Sequence, residues 1–182
     1  MTFKFLFTTL LIFTITMNEQ SQKKSLIVYY SWGGNTKVIA EDIREITGAD
    51  IFRIEPVDAY PTDYQTVVDQ AKEEINRGYH PKLKATVKNF DSYDTIYVGS
   101  PDWWSTVAPP AATFLTSYNF KGKVIIPFMT HGGSGFGRSI ADIKKMCPGA
   151  TVLKGYACYG TQVKDAKAEV RLWLKGLGKV YE

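Results

Sequence analysis

Cysteine and histidine are scarce in this chain, two of each among 182 residues. Cys147 and Cys158 form no Cys-x-x-Cys pair, and His80 and His131 are too few and too far apart for a zinc site. The two thiols read as small, semi-buried hydrophobes rather than as a disulfide. Charge of one sign is also in short supply. The formal net charge is +4 and no basic run resembles a nucleic-acid footprint, so nucleic acid is not an expected partner. No Gly-Lys-Ser/Thr occurs, which argues against a nucleoside-triphosphate loop. Gly33-Gly34 lacks the Gly-x-Gly-x-x-Gly/Ala spacing of a dinucleotide fingerprint. No Ser-His-Asp set or paired-carboxylate site stands out, and there is no internal repeat or low-complexity tract.

The N-terminal apolar run is short. Phe5–Thr16 is uncharged, with eight apolar residues among four threonines, and Lys4 precedes it. A bilayer-spanning helix needs ~20 residues, so no stable membrane span is expected. The run resembles the hydrophobic region of a secretory signal, although no small-x-small cleavage site is evident. The alternative is a true start at Met17, from which Met17–Lys24 leads directly into the first strand. Residues 1–22 are set aside as a leader on either reading, and 23–182 are the expected domain. The first reading makes the protein exported or membrane-associated; the second makes it cytoplasmic.

With 45% hydrophobic and 22% charged residues, the remainder is ordinary for one globular domain, long enough to bury a real core. Strand and helix signals alternate, which predicts an α/β protein with a parallel sheet. Strands are expected at Leu26–Tyr30, Ile51–Glu55, Thr95–Gly99, Val124–Met129 and Val152–Cys158. Helical spacing of Ile39, Ile43 and Ile46 predicts a helix over Asn35–Thr47 with Gly48 as its stop. Tyr64, Val67, Val68, Ala71 and Ile75 trace one face of a second helix, ended by Gly78. Further helices are expected at Ala111–Tyr118, at Arg138–Cys147, and over the stretch carrying Val163, Ala166, Val170, Trp173, Leu174 and Leu177. Pro127 predicts fraying of the fourth strand, because proline cannot donate to a ladder.

The first strand leads into Tyr30-Ser31-Trp32-Gly33-Gly34-Asn35-Thr36-Lys37. A strand, a small-residue turn and a helix N-terminus make an anion site, because unpaired N–H groups and the helix dipole both point outward there. Gly33 and Gly34 let the backbone approach a phosphate, and Ser31, Asn35 and Thr36 add short polar groups. The turn suits one terminal phosphate monoester; an ordinary βα turn is the alternative.

This segment resembles the FMN-phosphate loop of the flavodoxin-like family. Two later segments fit the same family in order, Gly99-Ser100-Pro101-Asp102-Trp103-Trp104-Ser105-Thr106 and Pro127–Ser139 with its Thr130-His131-Gly132-Gly133-Ser134-Gly135 core. The resemblance implies a three-layer sandwich with helices on both faces of a five-stranded parallel sheet of order 2-1-3-4-5. It implies FMN at the carboxyl ends of the strands, held by Ser31, Trp32, Gly33, Gly34, Asn35 and Thr36, by Pro101, Asp102, Trp103 and Trp104, and by Thr130–Gly135. Trp104 is the expected stacking residue, and His131 the expected flavin-tuning group. Two departures matter: the family pattern often has an apolar residue at Asp102 and glycine at Ser105. An ionised Asp102 beside the ring would lower the flavin's potential. Carrier flavodoxins are typically acidic, and this chain is not.

The implied function is an FMN-dependent oxidoreductase passing electrons to quinone-like or other small acceptors, with NAD(P)H one source of electrons. The alternative is an electron carrier working between redox partner proteins. A homodimer stays open. A flavin-free signalling receiver would need acids where Ser31, Gly99 and Ser100 stand.

Overall fold

The structure is a computed structural model describing residues 24–180, so the leader at 1–22 lies outside the described residues. In chain order the elements are β1 (Lys24–Tyr29), α1 (Asn35–Thr47), β2 (Asp50–Arg53), α2 (Tyr64–Asn76), β3 (Tyr93–Trp103), β4 (Thr106–Val107) and α3 (Pro109–Ser117). They continue with β5 (Val124–His131), α4 (Ser139–Met146), β6 (Thr151–Val152), β7 (Tyr156–Tyr159) and α5 (Lys167–Gly176). The main sheet runs β2-β1-β3-β5 with β6 and β7 both beside β5, all parallel. This is the 2-1-3-4-5 order with its last strand in two pieces. The seven strands differ from the expected five in that division and in β4, which pairs antiparallel with the end of β3.

Strands covered on both faces read as continuous apolar runs, and alternate side chains serve opposite layers. Leu26, Val28, Ile96, Val98 and Ile125 face α2, α3 and α4, where Val67, Phe114, Leu115 and Ile143 close the layer. Ile27, Tyr97, Ile126 and Phe128 face α1 and α5, meeting Ile39, Ile43, Val170 and Leu174. Gly48 ends α1 as expected, in the left-handed conformation at φ 69°, with its N–H bonded to the Arg44 carbonyl. Asp63 caps α2 by accepting from the Thr66 N–H at 2.8 Å. Cys147 and Cys158 are buried and unbridged, and burial pushes the Cys147 thiol up to about 12.

Pro127 does not fray its strand. It lies inside β5 opposite Val98, and the break falls in the neighbouring strand instead. The carbonyls of Lys123, Ile125 and His131 all accept from the last strand, so odd-numbered residues of β5 bond in that direction. Pro127 therefore turns its missing donor toward the interval between β6 and β7, where Gly155 lies so close that a Cβ would stand 2.6 Å from the Pro127 carbonyl oxygen.

Gly99 is set by packing. It sits beside Phe128 in the β3–β5 register, and a Cβ there would lie 2.2 Å from the Phe128 ring. Both positions are in the closed interior, so the ring must shift against its packed neighbours to admit a Cβ. Gly99→Ala is expected to cost about 2–3 kcal/mol by overpacking. The double variant Gly99→Ala/Phe128→Leu should lose less than the sum of the two single losses, as urea denaturation would show.

Candidate functional site

Parallel register brings the carboxyl ends of β1, β3 and β5 to one rim. Tyr29 pairs with Gly99, Gly99 with Phe128, and further out Pro101 pairs with Thr130. The loops beyond enclose an open cleft of ≈ 750 Å³. Its lining includes Ser31, Trp32, Gly33, Asn35 and Thr36 from the first loop, Pro101, Asp102 and Trp103 from the second, and Thr130, His131 and Gly132 from the third.

The floor at the α1 end is a set of donors. Gly34 precedes the helix at φ 93°, no side chain caps it, and its first turn contains no acidic residue. The Ser31 hydroxyl accepts from the Lys37 N–H at 3.3 Å, which folds the turn over the helix start. Thr36 and Thr130 are buried, and their hydroxyls lie 2.8 Å apart, joining the first loop to the third. Nothing lies within 4 Å of a Cβ built on Gly33, so this backbone faces open space. Such a donor set matches a phosphate monoester.

The second loop is held as a hairpin end. The Ser100 hydroxyl accepts from the Ala108 N–H at 2.9 Å and donates to the Pro101 carbonyl at 2.8 Å. Trp104 and Ser105 both have positive φ, 52° and 64°. That turn sends the adjacent indoles in different directions. Trp103 stays at the cleft, edge-on to Tyr30 and Tyr60 at 5.6 and 5.1 Å. Trp104 lies 45% exposed against α2, where its indole N–H donates to the Val68 carbonyl at 2.9 Å and Lys72 sits over its ring. The structure thus places Trp104 outside the cleft that holds the phosphate turn, and Trp103 within it.

The third loop docks on the second. The Arg138 N–H donates to the Ser105 carbonyl at 2.7 Å, and the Ser134 hydroxyl donates to Asp102. Asp102's other oxygen is buried without a partner among the described residues. The His131 ring packs on Tyr159 at 4.5 Å, and its Nδ1 accepts from the Gly133 N–H at 3.0 Å. That bond puts the neutral ring's proton on Nε2. Gly34, Gly133 and Gly135 do not line the cleft; each has positive φ and shapes its turn instead. Ser134 lines an adjoining cavity together with Trp104.

Two contributors were not expected. Tyr159 at the end of β7, with Gly160 and Thr161 beyond it, forms a fourth wall. A Cβ on Gly160 would lie 2.5 Å from the Asn35 side-chain amide, so glycine there lets this loop close on the α1 start. The signal was a glycine just beyond the fifth strand, whose carboxyl end must share the same rim. Tyr64, expected on the core face of α2, is 70% exposed and overhangs the cleft beside Trp32. It is the first residue of α2.

The chain belongs to the flavodoxin family: the family model described as Flavodoxin matches residues 24–176. Among solved structures it is similar to a flavoprotein from Bacteroides eggerthii DSM 20697, at 28% identity over 86% of this chain and 99% of that one, with a TM-score of 0.75. It is similar also to a flavoprotein in complex with FMN from Lactobacillus acidophilus NCFM, at 27% identity over 79% and 98% of the two chains, TM-score 0.65. Oxidised Flavodoxin 2 from Bacillus cereus shares the fold, at 17% identity over 84% and 99% of the chains and a TM-score of 0.51. No curated protein matches significantly. Among the described residues no helix is long and apolar enough to cross a membrane, and no His/Cys/Asp/Glu group is placed to hold a metal ion.

Burial raises the Asp102 carboxyl above the usual carboxylate range, against the opposing pull of the Ser134 hydroxyl, His131 and Arg138. The folded chain therefore keeps this proton at pH values where the unfolded chain has lost it. Stability from this group is present below the ordinary value and is lost as pH rises through the raised one. Asp102→Asn removes that loss. Its urea midpoint should exceed the wild type's at about pH 7, with the gap closing toward about pH 3.

Proposed function

We propose that this protein is an FMN-dependent oxidoreductase passing electrons to quinone-like or other small acceptors. The observation that carries the reading is the convergence of three loops on one cleft, with an uncapped helix N-terminus at one end and an indole at the other. FMN has the matching parts, a terminal phosphate and a flat ring system. The donor set tests the fit directly: hydroxyls, amide and open glycine backbone, with no acid in the first turn of α1 to repel an anion.

Ser31, Gly33, Asn35 and Thr36 would hold the phosphate, with Gly34 shaping their turn. Pro101, Asp102 and Trp103 would flank the ring on one side and Thr130, His131 and Gly132 on the other, with Gly133, Ser134 and Gly135 shaping that loop. Trp32 closes the outer wall, its indole N–H fixed to the Pro61 carbonyl at 2.8 Å. Bound FMN supplies the redox chemistry; the chain binds it, orients it and sets its electronics. N–H donors along the third loop favour negative charge on the ring's pyrimidine side, by the logic of an oxyanion hole. Asp102, when ionised, opposes that charge. His131 adds a positive charge when it takes up a proton, at the cost of the Nδ1 bond from Gly133.

A mild positive charge, unlike the acidic surface of carrier flavodoxins, favours the enzyme reading over an electron carrier between partner proteins. The deciding experiment is spectroscopic and kinetic. Purified protein should carry a yellow chromophore released by acid as FMN, and should oxidise NAD(P)H steadily with an added quinone and no other protein. Colourless protein that ignores added FMN removes the cofactor. Reduction only through a separate reductase makes it a carrier. His131→Asn should lower the flavin midpoint potential toward acidic pH and flatten its pH dependence; an unchanged potential and profile would remove the histidine's role.

A further inference from the structure

The inner face of α2 carries a carboxyl where helical spacing calls for an apolar side chain. Val67, Ala71 and Glu74 are the buried residues of this helix, and Glu74 is only 3% exposed. Among the described residues its carboxyl is bonded to a phenol and an amide. Oε2 accepts from the Tyr60 hydroxyl, and Oε1 accepts from the Gln70 side chain at 2.8 Å. Those bonds offset the cost of burying a carboxyl, a cost that an apolar residue would not incur at all.

Tyr60 leads from that carboxyl to the cleft. Its ring meets the Trp103 indole edge-on at 5.1 Å and lies 6.0 Å from Tyr30, which packs edge-on to the same indole. The next residue is Pro61, whose carbonyl accepts from the Trp32 indole N–H at 2.8 Å. Trp32 and Trp103 both line the cleft, whereas Tyr60, Pro61 and Glu74 stand behind it. The segment that carries Tyr60 and Pro61 connects β2 to α2. It is anchored early, where the Val57 N–H donates to the Lys82 carbonyl at 2.8 Å, and late, where Asp63 caps α2.

We infer that Glu74 is a positioning residue for the cleft: through the Tyr60 hydroxyl it fixes the loop at 60–61, and with it the places of Trp103 and Trp32.

An edge-on aromatic contact is directional, so a phenol free to tilt no longer holds its neighbour at one angle. Pinning the far end of the Tyr60 ring removes that freedom. Walls fixed before a ligand arrives leave less freedom to lose on binding. The inference rests on the flavin reading for the ligand but not for the geometry, since the indole positions can be read before FMN is added.

The test is a double-mutant cycle read by indole N–H signals in NMR spectra and by FMN affinity. Glu74→Gln keeps an acceptor for Tyr60; it should leave the Trp103 signal in place and FMN affinity within about twofold. Glu74→Leu should shift the Trp103 signal and weaken FMN about tenfold. The signal of Trp173, bonded to the Lys154 carbonyl, should stay still. Tyr60→Phe keeps the ring, loses the hydroxyl, and should match Glu74→Leu in both readouts. Adding Glu74→Leu to Tyr60→Phe should then change FMN affinity less than about twofold, because the link is already cut. An unmoved Trp103 signal or unchanged FMN affinity in folded Tyr60→Phe overturns the inference, and that variant decides the matter should Glu74→Leu not fold. A Glu74→Gln variant as impaired as Glu74→Leu also overturns it, by making charge the property that counts. So does a further tenfold loss in the double variant, which would make Glu74 a general support of the fold. Wild-type protein that takes no FMN overturns the flavin reading alone, and the indole signals still judge the positioning.

Discussion

Tyr29, Gly99 and Phe128 lie abreast across the three central strands, and the placement of the first three loops in the cleft follows from that alignment. Parallel strands in register deliver their carboxyl ends to one rim, so residues far apart in sequence arrive together without needing to seek each other. The alignment depends on a space. The Phe128 ring fills the volume where a Gly99 side chain would stand, so it packs in this orientation only because that side chain is absent. One glycine thus serves packing in the middle of the sheet and geometry at its end.

Beyond the strands, the loops are tied by short polar links rather than by bulk. The Thr36–Thr130 hydroxyl pair joins the first loop to the third, and Ser134 to Asp102 joins the third to the second. Gly137 lets the third loop lie against Ser105, where a Cβ would meet the Ser105 carbonyl oxygen at 2.5 Å. Below them, Tyr60 donates to the buried carboxylate of Glu74, which also accepts from Gln70 at 2.8 Å. These bonds give both oxygens of a buried carboxyl a partner beside the aromatic cluster of Tyr30, Tyr60 and Trp103. Among the described residues two buried side-chain oxygens near these loops lack a partner, one on Asp102 and the Ser139 hydroxyl.

Much of this was legible in the residues, and the remainder was hidden for identifiable reasons. The bounds of α1 were readable at both ends because isoleucine periodicity and Gly48 point the same way. β3 runs past Gly99 to Trp103, where Pro101 masks the strand signal although its register partner is Thr130. β4 is two residues long, too short for any period. The three loops could be placed on one rim from topology. Which of two adjacent tryptophans faces the cleft could not, because the choice is made by left-handed backbone at Trp104 and Ser105, where glycine would be the ordinary signal. Tyr64 misled because it keeps the helical spacing of its core neighbours although, as the first residue of α2, it is exposed.

Pro127 has a consequence outside the site. Among the described residues the last rail of the sheet is unpaired on its outer side, and a long flat strand there would offer its free backbone groups to another molecule. By withholding one donor, Pro127 coincides with the division of that rail into pieces of two and four residues. Neither piece is long enough to template a growing stack of chains. A residue ill suited to an inner strand thus goes with an outer edge in two short pieces, the kind of edge that offers little to a pairing strand.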